Sequence, residues 1–160
     1  MNDMKKWIYL VLVLVLASCD ADFQTWKDLN ANWLVQNKAN YANTDSLKVM
    51  PSGLQYKVFF DGYGAIPKPT NSIVQVTYTA KLIDGTVCDS GSEKWLAVSD
   101  LIPGWQEALC MMKGESHWQI YVPYTMAYGV DGSKATGGNF HIPPYSTLIF
   151  DIEIHDVRNY

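Results

Sequence analysis

The sequence predicts an α+β fold, in which an antiparallel sheet of about five strands holds one short inserted helix and is preceded by a helical extension. Three observations carry this prediction. Apolar and polar residues alternate along several segments, Asp84-Gly85 between two of them is a strong hairpin signal, and a short apolar stretch after Pro103-Gly104 has helical character. With 160 residues, the chain is long enough for one domain of ordinary size and too short for two large ones.

The strands are predicted from the alternation of apolar and polar residues. Between residues 73 and 82 every second side chain is apolar, from Val74 to Leu82, and Tyr78 belongs to this face. Residues 90–101 are less regular and are not assigned to a strand. The predicted strands are 54–60, 73–82, 87–89, 116–122 and 147–157.

Two helices are predicted. Residues 22–40 carry apolar side chains at helical spacing, and residues 41–50 follow as a linker. This extension is a membrane-proximal stalk, a dimerisation element or a cover on the domain, and packing on its own domain is the default expectation. The second helix is predicted from about Trp105 to Met112, with Lys113-Gly114 as its stop. The apolar positions of the first helix are Phe23, Trp26, Leu29, Trp33 and Leu34.

The first nineteen residues are typical of a bacterial lipoprotein leader. Lys5 and Lys6 precede an apolar run that ends at Ala17, which is too short for a bilayer span of about 20 residues. Leu16-Ala17-Ser18-Cys19 resembles the lipobox, in which the cysteine is acylated and becomes the new N-terminus. The alternative is an ordinary secreted protein with a chance cysteine near its cleavage site. The expected division is a signal peptide at 1–18, a helix and linker at 19–50 and a folded domain at 51–160.

Composition and motifs exclude several functional classes. Twelve Lys and Arg against sixteen Asp and Glu give a net charge of -4 without a basic cluster, so no nucleic-acid partner is expected. His117, His141 and His155 stand far apart and in no ligand pattern, so no metal is expected. G-x-S-x-G, G-x-G-x-x-G and Walker motifs are all missing from the sequence. If the chain is an enzyme, we expect it to work without a covalent nucleophile, a metal or a cofactor.

Four groups of residues, in a fixed order and spacing, point to one family. They are Pro51-Ser52-Gly53-Leu54-Gln55-Tyr56; Val76 to Ala80 with Leu82 to Ser90; Leu101-Ile102-Pro103-Gly104-Trp105 with Ala108-Leu109 and Met112-Lys113-Gly114; and Val122-Pro123 with Ala127-Tyr128-Gly129 and Ile142 to Asp151. Together they resemble the FKBP-type peptidyl-prolyl cis-trans isomerases, the immunophilins that bind macrolides such as rapamycin. The resemblance covers about residues 51–157. It implies a bent antiparallel sheet wrapped around the short helix, with the active site between them.

The same resemblance implies the site residues. Trp105 would form the floor of the pocket, and Asp89 would stand at its rim, within hydrogen-bonding reach of Tyr78. The family usually has a large aromatic residue where this chain has Cys88, so one wall is depleted unless another side chain refills it. The candidates for that refilling are Phe140 and Trp95, and Trp95 or Leu96 stands in for a second family aromatic before the Leu101 motif. The expected catalytic residues are Tyr78, Asp89, Ile102, Trp105, Tyr128 and Phe150, and the expected substrate contacts are Cys88, Leu101, His141 and Ile142.

The implied activity is isomerisation of X-Pro bonds in proline-containing polypeptides. Twisting such an amide meets a barrier of about 18–20 kcal/mol, and a dry apolar pocket lowers it without acid–base chemistry. The leading hypothesis is an isomerase held by the Cys19 lipid in the bacterial cell envelope, at the outer membrane or the periplasmic face, that assists folding of exported proteins. Macrolides of the rapamycin type are expected ligands. The alternatives are a non-catalytic peptide-binding or chaperone module, which Cys88 favours, and a structural envelope lipoprotein.

Overall fold

One antiparallel sheet organises the chain, and the computed structural model describes residues 25–44, 46–133 and 141–160. The strands are β1 (Lys48–Val49), β2 (Gln55–Phe60), β3 (Ser72–Lys81), β4 (Val87–Ala97), β5 (His117–Val122) and β6 (Leu148–Asn159). Residues 25–40 are helical and are called α1, and α2 is Pro103–Leu109. Two 3-10 turns, Val98–Asp100 and Tyr124–Met126, follow β4 and β5.

The strand order places the functional segments next to one another. The order is β1-β2-β5-β6-β3-β4, and each neighbouring pair is antiparallel. β3 and β6 pair along their length, with Tyr78 opposite Ile152 and Ala80 opposite Phe150. Since side chains two residues apart share a face of the sheet, Tyr78 and Phe150 project from the same face of adjacent strands.

α2 covers the apolar face of this sheet. Trp105 and Leu109 on the helix are buried against sheet residues such as Ile120. Pro103 stands in the first turn, where its missing N–H costs nothing. Gly104 lies so close to Val122 that any side chain there would clash with β5. The close approach of helix and strand fixes the position of Trp105.

The predicted combination of an antiparallel sheet and a short helix is confirmed, with three differences in detail. The sheet has a sixth strand, β1, inside the segment predicted as a linker, because Lys48 and Val49 pair with β2. β4 continues to Ala97 instead of ending near Asp89. α2 spans Pro103–Leu109, not Trp105 to Met112, because the proline starts the helix and Cys110 caps it.

The extension α1 packs on the domain through buried amides. The side chain of Asn30 is 1% exposed, and its Oδ1 accepts a 2.7 Å hydrogen bond from the Thr147 N–H. Asn37 Nδ2 donates to Gln55 Oε1 at 2.8 Å. Leu29, which the helical pattern placed on the apolar face, is 51% exposed. Trp26, Trp33 and Leu34 are half-buried, so the predicted apolar face packs on the domain except at Leu29.

The predicted leader and Cys19 lie outside the described residues. Within the described ranges, no helix combines the length and the apolar character that a bilayer span requires. The lipid anchor stays a prediction from the sequence.

Candidate active site

A cavity of about 260 Å³ opens between α2 and the sheet. Each element around it contributes a side chain: β3, β4, the turn before α2, α2 itself, the segment after β5, and β6. The lining residues are Tyr78, Asp89, Leu96, Asp100, Leu101, Ile102, Trp105, Tyr128 and Phe150. The wall is mainly apolar and aromatic, with two carboxylates. Such a composition is typical of a ligand site with a few orienting polar groups.

Trp105 holds the aromatic part of the cavity together. Its ring is 3% exposed, and it meets the rings of Tyr78 and Phe150 edge to face, each with a centroid separation of 5.2 Å. Edge-to-face contacts of this kind are a favoured arrangement of aromatic rings. Three rings from α2, β3 and β6 thus form a rigid apolar surface.

Tyr78 and Asp89 form the polar side of the mouth. The Tyr78 hydroxyl donates a 2.8 Å hydrogen bond to Asp89 Oδ2. Gly91 makes room for the tyrosine, because a Cβ at this position would lie 2.7 Å from Cε1 of the Tyr78 ring. Burial, followed by the hydrogen bond and the negative charge of Asp89, raises the pKa of Tyr78 well above its ordinary value. The hydroxyl therefore keeps its proton at neutral pH.

The turn before α2 presents a free backbone donor. The Ile102 carbonyl accepts hydrogen bonds from the N–H groups of Trp105 and Gln106, at 2.9 and 3.1 Å. Within the described residues, the N–H of Ile102 itself has no protein acceptor. Gln106 Nε2 donates to the Leu101 carbonyl at 2.7 Å and fixes this turn. Ile102 can therefore donate to a ligand from a fixed position.

Tyr128 stands at the open edge of the cavity. Its side chain is 41% exposed, and it follows the turn Tyr124–Met126. Burial of part of the side chain raises the pKa of Tyr128, and the nearby Asp89 raises it further. Its hydroxyl is thus a second protonated donor at the mouth.

Seven of the ten residues expected in the site line this cavity, and three are not among its lining residues. Cys88 is 6% exposed, and its thiol donates to the Ala80 carbonyl at 3.5 Å, inside the core. Ile142 is 5% exposed and also belongs to the core. His141 is exposed and outside the cavity lining. The seven lining residues are Tyr78, Asp89, Leu101, Ile102, Trp105, Tyr128 and Phe150.

Leu96 is one of the two residues expected to stand in for the second family aromatic. It lines the cavity, whereas its neighbour Trp95 is 39% exposed and stacks with the Arg158 guanidinium, 4.0 Å from the ring centroid. Alternate residues of β4 point to opposite faces, so only one of the two can face the site. Phe140, a candidate for refilling the wall at Cys88, lies outside the described residues.

Asp100 lines the cavity, although from the sequence it was expected only to stabilise the helix start. It ends the 3-10 turn Val98–Asp100 and accepts a 3.0 Å hydrogen bond from the Ser99 hydroxyl. In the sequence, a carboxylate just before a helix is explained by the helix start itself, so it gave no indication that Asp100 lines a cavity. Its location one residue before Leu101 was the available signal.

In the part of the chain that the structure describes, no group of three or more His, Cys, Asp or Glu side chains comes together to hold a metal ion. Cys88 and Cys110 are both free thiols, and burial raises the pKa of each. The groups that the cavity presents are its apolar walls, the hydroxyl groups of Tyr78 and Tyr128, the carboxylates of Asp89 and Asp100, and the Ile102 N–H.

Known proteins match both the sequence and this arrangement. The family model for the FKBP-type peptidyl-prolyl cis-trans isomerase matches residues 64–155. The FKBP-type 22 kDa peptidyl-prolyl cis-trans isomerase of Escherichia coli K12 is 40% identical over 139 residues, which are 84% of this chain and 63% of that protein. The outer membrane protein MIP of Legionella longbeachae is 45% identical over 114 residues, 69% of this chain and 46% of that protein.

A solved structure extends the match to α1. The crystal structure of FkpA from Escherichia coli superposes with a TM-score of 0.78 at 29% identity, covering 98% of this chain and 72% of that chain. The chain spans between about half and just under two thirds of the length of the two curated relatives. Because the family model matches more than half of the sequence and the cavity lies within the matched residues, the chain belongs to the FKBP-type peptidyl-prolyl cis-trans isomerase family.

Proposed function

We propose that this chain is a peptidyl-prolyl cis-trans isomerase that acts on proline-containing polypeptides in the bacterial cell envelope and assists the folding of exported proteins. The observation that carries the proposal is the cavity itself. Trp105, Tyr78 and Phe150 form an apolar aromatic surface, and the unpaired N–H of Ile102 stands beside it. A proline ring packs well against apolar aromatic side chains, and the carbonyl oxygen of the X-Pro bond accepts a hydrogen bond from a donor such as this N–H.

The cavity favours the twisted amide over the planar one. Rotation about the X-Pro bond breaks the amide resonance, so the carbonyl oxygen is less negative in the twisted state than in the planar state. An apolar wall penalises the more polar planar state more strongly. Of the barrier of about 18–20 kcal/mol, each 1.4 kcal/mol removed in this way accelerates the reaction about tenfold.

Two donors would hold the substrate while it rotates. The Ile102 N–H is fixed by the helix start, and the Tyr128 hydroxyl is protonated at neutral pH, as an ordinary tyrosine with a pKa of about 10 is; burial raises its pKa further. The hydrogen bond between Tyr78 and Asp89 keeps the remaining wall rigid. Neither a general acid nor a general base is required for this reaction.

The direct test is a protease-free isomerisation assay. The exchange rate between cis and trans forms of a short X-Pro peptide is measured by NMR, with and without the purified chain. We expect the chain to accelerate exchange, and Tyr128→Phe to lower kcat/KM about two- to tenfold, the loss of one hydrogen bond. Tyr63→Phe is the matched control, since Tyr63 is 76% exposed and does not line the cavity. No acceleration by the unaltered chain would refute the proposal.

The envelope location rests on the leader. A basic start, a short apolar run and Leu16-Ala17-Ser18-Cys19 favour lipidation of Cys19, so that a lipid anchors the domain at the outer membrane or the periplasmic face. One relative of this chain is named an outer membrane protein. The anchored domain would meet exported polypeptides as they fold.

The second candidate is a peptide-binding or chaperone module with little catalysis, and Cys88 favours it. Its thiol is turned into the core, so it does not supply the large apolar wall that the family usually has. Macrolides of the rapamycin type would occupy the same cavity under either function. Peptide affinity without acceleration of X-Pro exchange would select the second candidate.

A further inference from the structure

α1 contacts the segment of residues 142–147 that leads into β6. Trp26 Nε1 donates a 3.1 Å hydrogen bond to Ser146 Oγ, which in turn donates to the Pro143 carbonyl at 2.7 Å. One turn further along the helix, Asn30 Oδ1 accepts a 2.7 Å hydrogen bond from the Thr147 N–H. The helix therefore supplies hydrogen-bond partners to a stretch of chain that belongs to no strand.

The Asn30 side chain is buried, and its orientation toward the Thr147 N–H is fixed. Its side chain is 1% exposed, and its Nδ2 donates to the Trp26 carbonyl at 2.8 Å, which sets the orientation of its Oδ1. Ser146 and Thr147 are also buried, at 3% and 1% exposure. A buried amide with both ends hydrogen-bonded holds one geometry, because leaving either end unpaired in the interior is costly.

The clamped segment reaches Tyr128 through Tyr145. The Tyr145 N–H donates to the Gly129 carbonyl at 3.0 Å, and the Gly129 N–H donates to the Tyr124 carbonyl at 2.9 Å. The rings of Tyr145 and Tyr124 meet at 5.3 Å, and Lys27 Nζ of α1 lies 5.0 Å from the Tyr145 ring centroid. Gly129 directly follows Tyr128, so the contact chain ends at the cavity.

Tyr145 itself needs this support. Its φ is +62°, a left-handed conformation that non-glycine residues seldom adopt. Such a conformation persists where the surroundings determine it, and here the surroundings are α1 on one side and Tyr124 on the other.

We propose that Asn30 and Trp26 are positioning residues, which hold residues 142–147 so that Tyr145 and Gly129 keep the Tyr128 hydroxyl at the mouth of the cavity. The inference deepens the proposed isomerase function and rests on it. α1 is then a part of the active-site framework in addition to being an extension of the domain. Its link to catalysis is the Tyr128 donor and no other side chain.

The test is a double-mutant cycle between α1 and Tyr128. Asn30→Leu removes the acceptor for the Thr147 N–H, and we expect kcat/KM for X-Pro exchange to fall about two- to tenfold. In the Tyr128→Phe background the same change should have little further effect, because the donor it positions is already gone. Effects that multiply in the double variant, or an unchanged kcat/KM in Asn30→Leu, would overturn the proposal.

Asn37→Leu is the matched control. It removes a second buried amide of α1, but its partner is Gln55 at β2, away from the clamped segment. We expect it to lower the stability of the chain and to leave kcat/KM within twofold of the unaltered chain at a temperature where both are folded. A loss as large as that of Asn30→Leu would show a general effect of loosening α1, and would overturn the specific role of Asn30.

Hydrogen exchange separates this inference from the proposed function. If Asn30→Leu does not fold, Trp26→Phe takes its place, since it removes the bond to Ser146 Oγ while keeping an aromatic ring against the core. In either variant we expect the amides of Gly129 and Tyr145 to exchange at least fivefold faster, and in Asn37→Leu to exchange at the original rate. An unaltered chain without isomerase activity refutes the function, whereas unchanged exchange at these two amides refutes the positioning role even in an active chain.

Discussion

The Tyr78 hydroxyl donates to Asp89 Oδ2 at 2.8 Å and so connects β3 to β4 at the mouth of the cavity. The two residues are not directly opposite, since Tyr78 pairs with Gly91 and Ala80 pairs with Asp89. The tyrosine ring leans across the strand over the bare backbone of Gly91 and also contacts Trp105. One hydrogen bond therefore fixes both a wall ring and the carboxylate at the rim.

Tyr78→Phe should lower both affinity and activity while retaining the ring. Without the hydroxyl, Asp89 loses its partner and the ring loses its tether, and one hydrogen bond is worth about 0.5–1.5 kcal/mol. We expect a two- to tenfold lower kcat/KM in the X-Pro exchange assay, with a similar loss in peptide affinity by calorimetry. Tyr56→Phe, on β2 outside the cavity lining, is the control. A kcat/KM equal to that of the unaltered chain would show that the bond does not support the site.

The raised pKa of Tyr78 predicts how stability depends on alkaline pH. A tyrosine whose pKa is higher in the folded state keeps its proton at pH values where the unfolded chain has lost it. The folded state then binds more protons, so the free energy of unfolding decreases as pH rises. The stabilisation is complete below the ordinary tyrosine pKa of about 10 and is lost as pH rises above it. Denaturant unfolding between pH 8 and 12 should show a steeper decline for the unaltered chain than for Tyr78→Phe, and parallel curves would contradict this.

The alternation of apolar and polar residues predicted the strands that have one buried face. In β6, Leu148, Phe150, Ile152 and Ile154 are all at most 5% exposed, as their period of two predicts. The family resemblance predicted most of the cavity lining, because its motifs fall where strands end and α2 begins. Both signals are local in the sequence, and they fail where the deciding partner is far away.

β4 and α1 show such failures. Among the described strands, β4 pairs with β3 alone and is mostly exposed, and it contains Glu93 at a φ of +51°. Its sequence therefore lacks the alternation of apolar and polar residues from which a strand is predicted. In α1 the buried side chains include Asn30, whose hydrogen-bond partner Thr147 is 117 residues away. A polar residue at a buried position interrupts the helical apolar pattern, and only the folded structure shows what compensates for it.

Trp105→Ala should affect both stability and activity strongly. The ring is buried and supports Tyr78 and Phe150, and removing a buried aromatic side chain costs about 3–5 kcal/mol. The opened floor would also admit water to the proline slot. We expect a midpoint of denaturant unfolding well below that of the unaltered chain, and at least a tenfold lower kcat/KM at a temperature where the variant is folded. Trp105→Phe should show smaller losses of both kinds, and equal losses for the two variants would argue against a role of ring size.

Cys19→Ala tests the lipid anchor. If the thiol receives the lipid, the variant should leave the membrane fraction, and its N-terminus should be unprocessed or cut elsewhere. Cell fractionation with mass spectrometry of the mature N-terminus measures both. Cys88→Ala is the matched control, since that thiol is buried in the folded domain. A Cys19→Ala protein that stays in the membrane fraction as fully as its parent would exclude lipid anchoring.

Cys88→Phe tests whether this chain has a weakened active site. The Cys88 thiol is buried and points to the Ala80 carbonyl, and it is near enough to Tyr128 to influence its pKa, so we expect a phenyl ring there to extend toward Tyr128. It would supply the apolar wall that the family usually has at this position. Overpacking costs about 1–3 kcal/mol of stability, and the new contact with the proline ring contributes roughly the same amount to the transition state. We expect a tenfold or greater increase in kcat/KM together with tighter binding of a rapamycin-type macrolide, measured at a temperature where the variant is folded. A folded variant that is less active and binds the macrolide more weakly would show that the wall is already complete. Cys88 would then give the pocket a different shape, suited to other substrates, without weakening the active site.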